Sequence, residues 1–141
     1  MAESVIEQSV VQAYLRAQYI VHGAPPCVLK VGQASACLAQ IYQKYAVNCA
    51  AFITAFNPLG QQLSFSKNAE LQRQLINQLK QSQSTFLPAE GADPNRVWPA
   101  EESVLIPGLE LAQAKETGRK FRQNAIVWCG PDTVPQLVLL R

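Results

Sequence analysis

The sequence predicts a single α/β domain over residues 1–141, in which a mixed sheet of about five or six strands carries three or four packed helices. Three observations lead there. Apolar stripes at helical spacing recur along the chain, and short apolar runs of strand length stand between them. Strand, helix and strand also follow one another from Cys27 to Phe56, the pattern of a βαβ unit with two parallel strands.

A first helix is expected over about residues 4–18. Ser4 and Glu7 have the spacing of a capping box, and Val5, Ile6, Val10, Val11, Tyr14 and Leu15 form one apolar stripe. His22-Gly23-Ala24-Pro25-Pro26 is a turn. Cys27 to Val31 reads as a short strand closed by Gly32, and Ala34 to Tyr45 as a helix with Leu38, Ile41, Tyr42 and Tyr45 inward. One glycine at Gly32-Gln33-Ala34-Ser35 is no phosphate-binding fingerprint, so this segment reads as a plain strand-to-helix turn.

The run Ala50 to Phe56 is apolar except for Thr54, as expected of a strand covered on both faces. Asn57-Pro58 stops it, because proline offers no N–H to a ladder and asparagine favours turns. In α/β proteins ligands gather where buried strands end in polar turns. Ser66 is the expected N-cap of a helix from Lys67 to about Gln83, with Leu71, Leu75, Ile76 and Leu79 buried and Asn68, Gln72 and Arg73 on its polar surface. Thr85-Phe86-Leu87 reads as a short strand, and Pro88 to Arg96 as a long loop rich in Pro and Gly.

Val104-Leu105-Ile106 is the next strand, with Glu101 and Glu102 at its entrance; neighbouring strand side chains point to opposite faces, so only one of the two can face a given cleft. Leu109 to Phe121 forms a helix with a weak point at Gly118, and Lys115, Arg119, Lys120 and Arg122 cluster near its end, where cations suit the helix dipole. Asn124 to Cys129 and Gln136 to Arg141 form a final antiparallel pair joined through Gly130-Pro131-Asp132.

Composition narrows the function classes. Apolar residues make up 48% and charged residues 16%, which suits a folded domain and not a disordered chain. A formal charge of +2 argues against nucleic acid as partner, and no apolar run is long enough to span a membrane. The four cysteines are spread out and His22 is the single histidine, so no metal and no cofactor are expected. The N-terminal Met-Ala-Glu-Ser-Val-Ile-Glu has neither a basic region nor a signal core, giving the expectation of a cytoplasmic protein with reduced thiols.

The segments Ala51 to Pro58, Leu63-Ser64 with Asn68, Trp98 to Ser103, and Phe121 to Ala125 together resemble a bacterial family catalogued as a domain of unknown function, number 3293. The likeness runs from about Tyr19 to Leu140; the family usually has glycine where Arg122 stands and often an arginine near Gln72. It implies a small stand-alone bacterial protein and supplies no reaction.

Three functions use the remaining polar residues. Asn57, Ser64, Asn68, Arg73, Glu101, Glu102, Ser103 and Gln123 would line a site for a small polar metabolite or nucleotide, the leading expectation. The same groups, with Asn124 nearby, would serve an enzyme with a glutamate general base, although Ser/His/Asp and Cys/base sets are lacking. The third reading is a protein-interaction module anchored on Trp98, whose simpler explanation is that it caps the core.

Overall fold

The computed structural model describes residues 4–141. Its helices are α1 (Gln8–Arg16), α2 (Ala36–Tyr45), α3 (Phe65–Gln81) and α4 (Leu111–Lys120). Its strands are β1 (Gln18–Val21), β2 (Cys27–Leu29), β3 (Ala50–Ile53), β4 (Leu87–Ala92), β5 (Glu101–Pro107), β6 (Ala125–Cys129) and β7 (Pro135–Leu139). They make one seven-stranded sheet in the order β2-β1-β4-β5-β3-β6-β7. The α/β class and the packed helices are as expected, but the sheet has more strands than expected and every neighbouring pair in it is antiparallel instead of mixed.

The expected βαβ unit shows where local pattern stops being informative. β2 and β3 do run in the same direction, but β1, β4 and β5 lie between them. Helix α2 therefore carries the chain from the sheet edge to its interior. The strand that pairs with β3 comes from far along the sequence, in the register Ile53↔Val104 and Ala50↔Pro107. The segment Pro88 to Ala92, expected as loop, belongs to β4. Pro88 is tolerated because it lies just beyond the β1 register, where it offers its carbonyl oxygen to the His22 N–H at 2.9 Å.

Burial follows strand alternation. Ala50 and Phe52 of β3 face a cluster with Leu38, Tyr42, Leu105 and Val127, under α2. Ala51 and Ile53 face the opposite cluster with Leu75, Leu79, Val104 and Ala114, under α3 and α4. β3 is thus buried on both faces, which explains its continuous apolar run.

Helix ends differ in detail from the sequence reading. α1 is shorter than residues 4–18, and its capping box does not form: Ser4 Oγ accepts from the Ile6 N–H at 3.1 Å, while the Glu7 side chain makes no cap. Ser64, not Ser66, caps α3 by accepting from the Lys67 N–H at 3.3 Å. Asn68 and Gln72, expected on the surface of α3, are buried with Leu75 and Leu79. Among the cysteines, Cys27 and Cys37 form a disulfide where reduced thiols were expected, since the β2–α2 turn folds residues ten apart onto each other. Cys49 and Cys129 are buried and free.

Candidate functional site

β3 stops after Ile53 because the Thr54 side chain takes over its hydrogen bonding. Thr54 Oγ1 donates to the Glu102 carbonyl at 2.6 Å and accepts from the Phe56 N–H at 3.1 Å. In an antiparallel pair the end of one strand is the start of its neighbour. The turn after β3 therefore meets the entrance of β5, and Asn57 meets Glu101.

Asn57 is the hub of this meeting. It sits in the left-handed region at φ 51, a conformation asparagine accepts more readily than most residues, and opens the 3-10 turn Pro58–Gly60. Its Nδ2 donates to Glu101 Oε2 at 2.7 Å. Its Oδ1 accepts from the Leu63 N–H at 3.0 Å and from Asn68 Nδ2 at 2.8 Å. Asn68 Oδ1 in turn accepts the Asn57 N–H at 2.8 Å. One turn further along α3, Gln72 Oε1 accepts the Ala55 N–H at 3.0 Å. Two side chains of α3 thus take up backbone donors that the end of the strand leaves over.

The opposite wall comes from the segment between α4 and β6. Gln123 Nε2 donates to the carbonyls of Phe56 at 3.1 Å and Phe121 at 3.3 Å. Asn124 Nδ2 donates to Tyr14 Oη at 3.2 Å, and Asn124 Oδ1 accepts from Arg141 at 2.7 Å. Gly60 passes so close that a Cβ there would lie 2.9 Å from Asn124 Nδ2, and its φ of +74 is one that side chains resist. Arg122 stands at φ 55, in the left-handed region, and its carbonyl accepts the Leu59 N–H at 2.7 Å.

These walls border a cavity of about 520 Å³ that is open to solvent on one side. Asn57, Asn68, Glu101, Glu102, Ser103 and Gln123 line it; Ser64 and Arg73 do not. Ser64 is spent as a helix cap, and Arg73 projects from the exposed face of α3 to pair with Glu70. Of the two glutamates, Glu101 is the partly buried one held by Asn57, and Glu102 is exposed. Ser103 Oγ donates to the Glu101 carbonyl at 2.9 Å.

Tyr14 and Gln72 escaped the candidate set, whereas Asn124 was expected beside Gln123 and lines the cavity with it. Only Gln72 had a readable signal: positions 68, 72, 75 and 79 lie along one helical stripe, so its neighbours predicted its burial. Tyr14 reaches the site through α1, whose residues are nowhere fully buried although Val10, Ala13 and Tyr14 line the cavity. Trp98 is half-buried against the core and faces the same cavity.

Removal from water raises the Glu101 carboxyl above the usual range, with the Asn57 hydrogen bond opposing the shift. Burial also raises the Tyr14 hydroxyl, and Asn124 partly offsets it. The Cys129 thiol is pushed up to about 12 by burial, so it is a core group and not a nucleophile. Among the described residues no cluster of His, Cys, Asp and Glu is placed to hold a metal ion. No helix among them is long and apolar enough to cross a membrane.

Comparison with curated proteins gives no match, and comparison with solved structures gives none either. Residues 53–126 match the family described as protein of unknown function (DUF3293). That span takes in the Asn57 turn, α3, the Glu101 entrance and the Gln123 wall, so the chain belongs to the DUF3293 family.

Proposed function

We propose that the protein binds a small polar ligand in the cavity between Asn57, Glu101 and Gln123. The observation that carries this reading is the Asn57–Glu101 contact at 2.7 Å inside a cavity of about 520 Å³ walled by Tyr19, Phe52 and Trp98. Ligand sites combine apolar walls with a few fixed polar groups in volumes of roughly 300–1,000 Å³. Trp98 supports this reading over a protein-interaction anchor, because its ring is shared between core and cavity instead of standing free. The raised carboxyl of Glu101 also suits a general base, which makes catalysis on the bound ligand the second reading.

A thermal-shift screen of nucleosides, sugars, amino acids and amines tests the proposal. A ligand present at about 100 times its dissociation constant adds about 2.7 kcal/mol to stability, a readily measured rise in melting temperature. Hits are expected to lose their effect in Trp98→Ala, and a screen without hits sinks the reading. A bacterial setting is part of the proposal and rests on the family resemblance. The Cys27–Cys37 disulfide weighs against a cytoplasmic one, since a reducing compartment keeps such pairs open.

A further inference from the structure

The cavity's hydrogen-bonding groups are unequally free. Three of its hydroxyl donors are committed, Thr54 to the Glu102 carbonyl, Ser103 to the Glu101 carbonyl and Tyr19 to the Tyr14 carbonyl. Tyr14 accepts from Asn124 and is the one lining hydroxyl with no acceptor among the described residues. The amide of Asn68 spends its nitrogen on Asn57 and Leu63, and that of Gln123 on Phe56 and Phe121. Acceptors are left over. Glu101 Oε2 receives one bond from Asn57, and neither Oε1 nor the Glu102 carboxylate has a partner among the described residues. No Lys, Arg or His occurs among the described residues that line the cavity.

Charge and shape then agree. A phosphate or carboxylate would enter beside two carboxylates with no cation in the lining to meet it, Arg141 being hydrogen-bonded to Asn124, which is costly in a partly dehydrated site. A cation would complete the hydrogen bonding of Glu101 and exchange its lost water for a charge-assisted pair. The apolar part of such a ligand has aromatic walls: Tyr19, Phe52 and the half-buried Trp98 line the same space, and the first two rings meet edge to face at 5.1 Å. Aromatic faces attract organic cations through their negative quadrupole.

We propose that the cavity takes an organic cation, an ammonium or amidinium on a flat apolar body, with its charge on Glu101 and its body among Tyr19, Phe52 and Trp98. This rests on the small-ligand reading and narrows it away from nucleotides. Matched probes test it: benzamidine and benzylamine against neutral benzyl alcohol, anionic benzoate and AMP, followed by NMR at the tryptophan indole N–H groups. Trp128 serves as internal reference, because its indole donates to the Leu109 carbonyl at 3.0 Å on the other side of the sheet.

Benzamidine or benzylamine is expected to move the Trp98 resonance saturably and leave Trp128 in place, while benzoate and AMP move neither. Glu101→Gln keeps an acceptor for Asn57 but removes the charge, and is expected to weaken cation binding by about tenfold or more, as loss of a charge-assisted bond does. Glu102→Gln should change it by no more than about twofold, the scale of an exposed charge. An unchanged Trp128 resonance confirms that each variant is folded. Benzoate or AMP moving Trp98 while the cations do not would overturn the cation class and leave the cavity reading standing. Equal cation affinity in Glu101→Gln would overturn it too, and silence from every probe would sink both.

Discussion

Glu101 is held out of water by the fold and compensated by a single side-chain hydrogen bond, from Asn57. Its folded-state carboxyl lies above the ordinary value, so the folded protein holds this proton more tightly than the unfolded chain does. Stability from this group is therefore greatest at acid pH and is lost as pH rises through the raised value. The groups that face it, Tyr14 from α1 and Tyr19 from β1, are neutral across that range, since a tyrosine hydroxyl ordinarily titrates near 10.0 and burial raises both further. Glu101→Gln removes the ionisation and is expected to raise the melting temperature at neutral pH by about 2–4 °C, the effect of roughly 1 kcal/mol in a chain of this size. The gain should vanish below the usual carboxylate range, where wild-type Glu101 is also neutral. A melting series from pH 3 to 8, that is from about one unit below to several above the ordinary carboxyl value, checks both the sign and the crossover. Asn57 was legible as a turn residue, since Asn before Pro stops a strand by local chemistry. Its four-way role was not, because Glu101 and Asn68 reach it only through tertiary pairing.

At the scale of elements, helix stripes and strand runs were legible wherever one face is uniformly apolar, as in α2 and β3. The reading failed where polar residues are buried or a glycine is used for closeness. Gly118 in α4 looked like a weak point, since glycine costs a helix about 1 kcal/mol relative to alanine. In the fold it is fully packed: a Cβ there would lie 2.6 Å from Leu140 Cδ1 and 2.7 Å from Ile126 Cγ2. The glycine lets α4 lie close against the C-terminal strands. Gly118→Ala therefore sets a propensity gain against an overpacked contact, and overpacking typically costs about 1–3 kcal/mol. The net effect should be destabilising by about 1–2 kcal/mol, seen as a lower denaturation midpoint with unchanged slope. A more stable variant would mean that Leu140 and Ile126 can move aside and that propensity governs here. β4 failed for another reason. Its Pro and Gly are loop signals taken singly, and only the two neighbours β1 and β5 make the segment a strand.

Strand order belongs to the whole molecule, and no local window contains it. The sequence told that β2 and β3 run the same way, but not that β5 and β6, from residues fifty or more positions away, would flank β3. That arrangement divides the core between two faces of one sheet while joining them through shared strands. In β5, Leu105 faces the α2 side and Val104 and Ile106 the other; in β6, Val127 and Ile126 divide likewise. Neither cluster can dissolve without unpairing the strands that hold the second, so both should unfold in one cooperative step. The two tryptophans allow a direct test, because Trp98 packs on the first cluster and Trp128 on the second. Each can be observed alone in a Trp98→Phe or Trp128→Phe background. Leu38 and Leu75 are fully buried, one in each cluster. Truncating either to alanine should cost about 2–5 kcal/mol. With Leu38→Ala the fluorescence midpoints of Trp98 and Trp128 should fall together in urea, and Leu75→Ala should move both again. If Leu38→Ala shifted only the Trp98 transition, the two faces would be independent units.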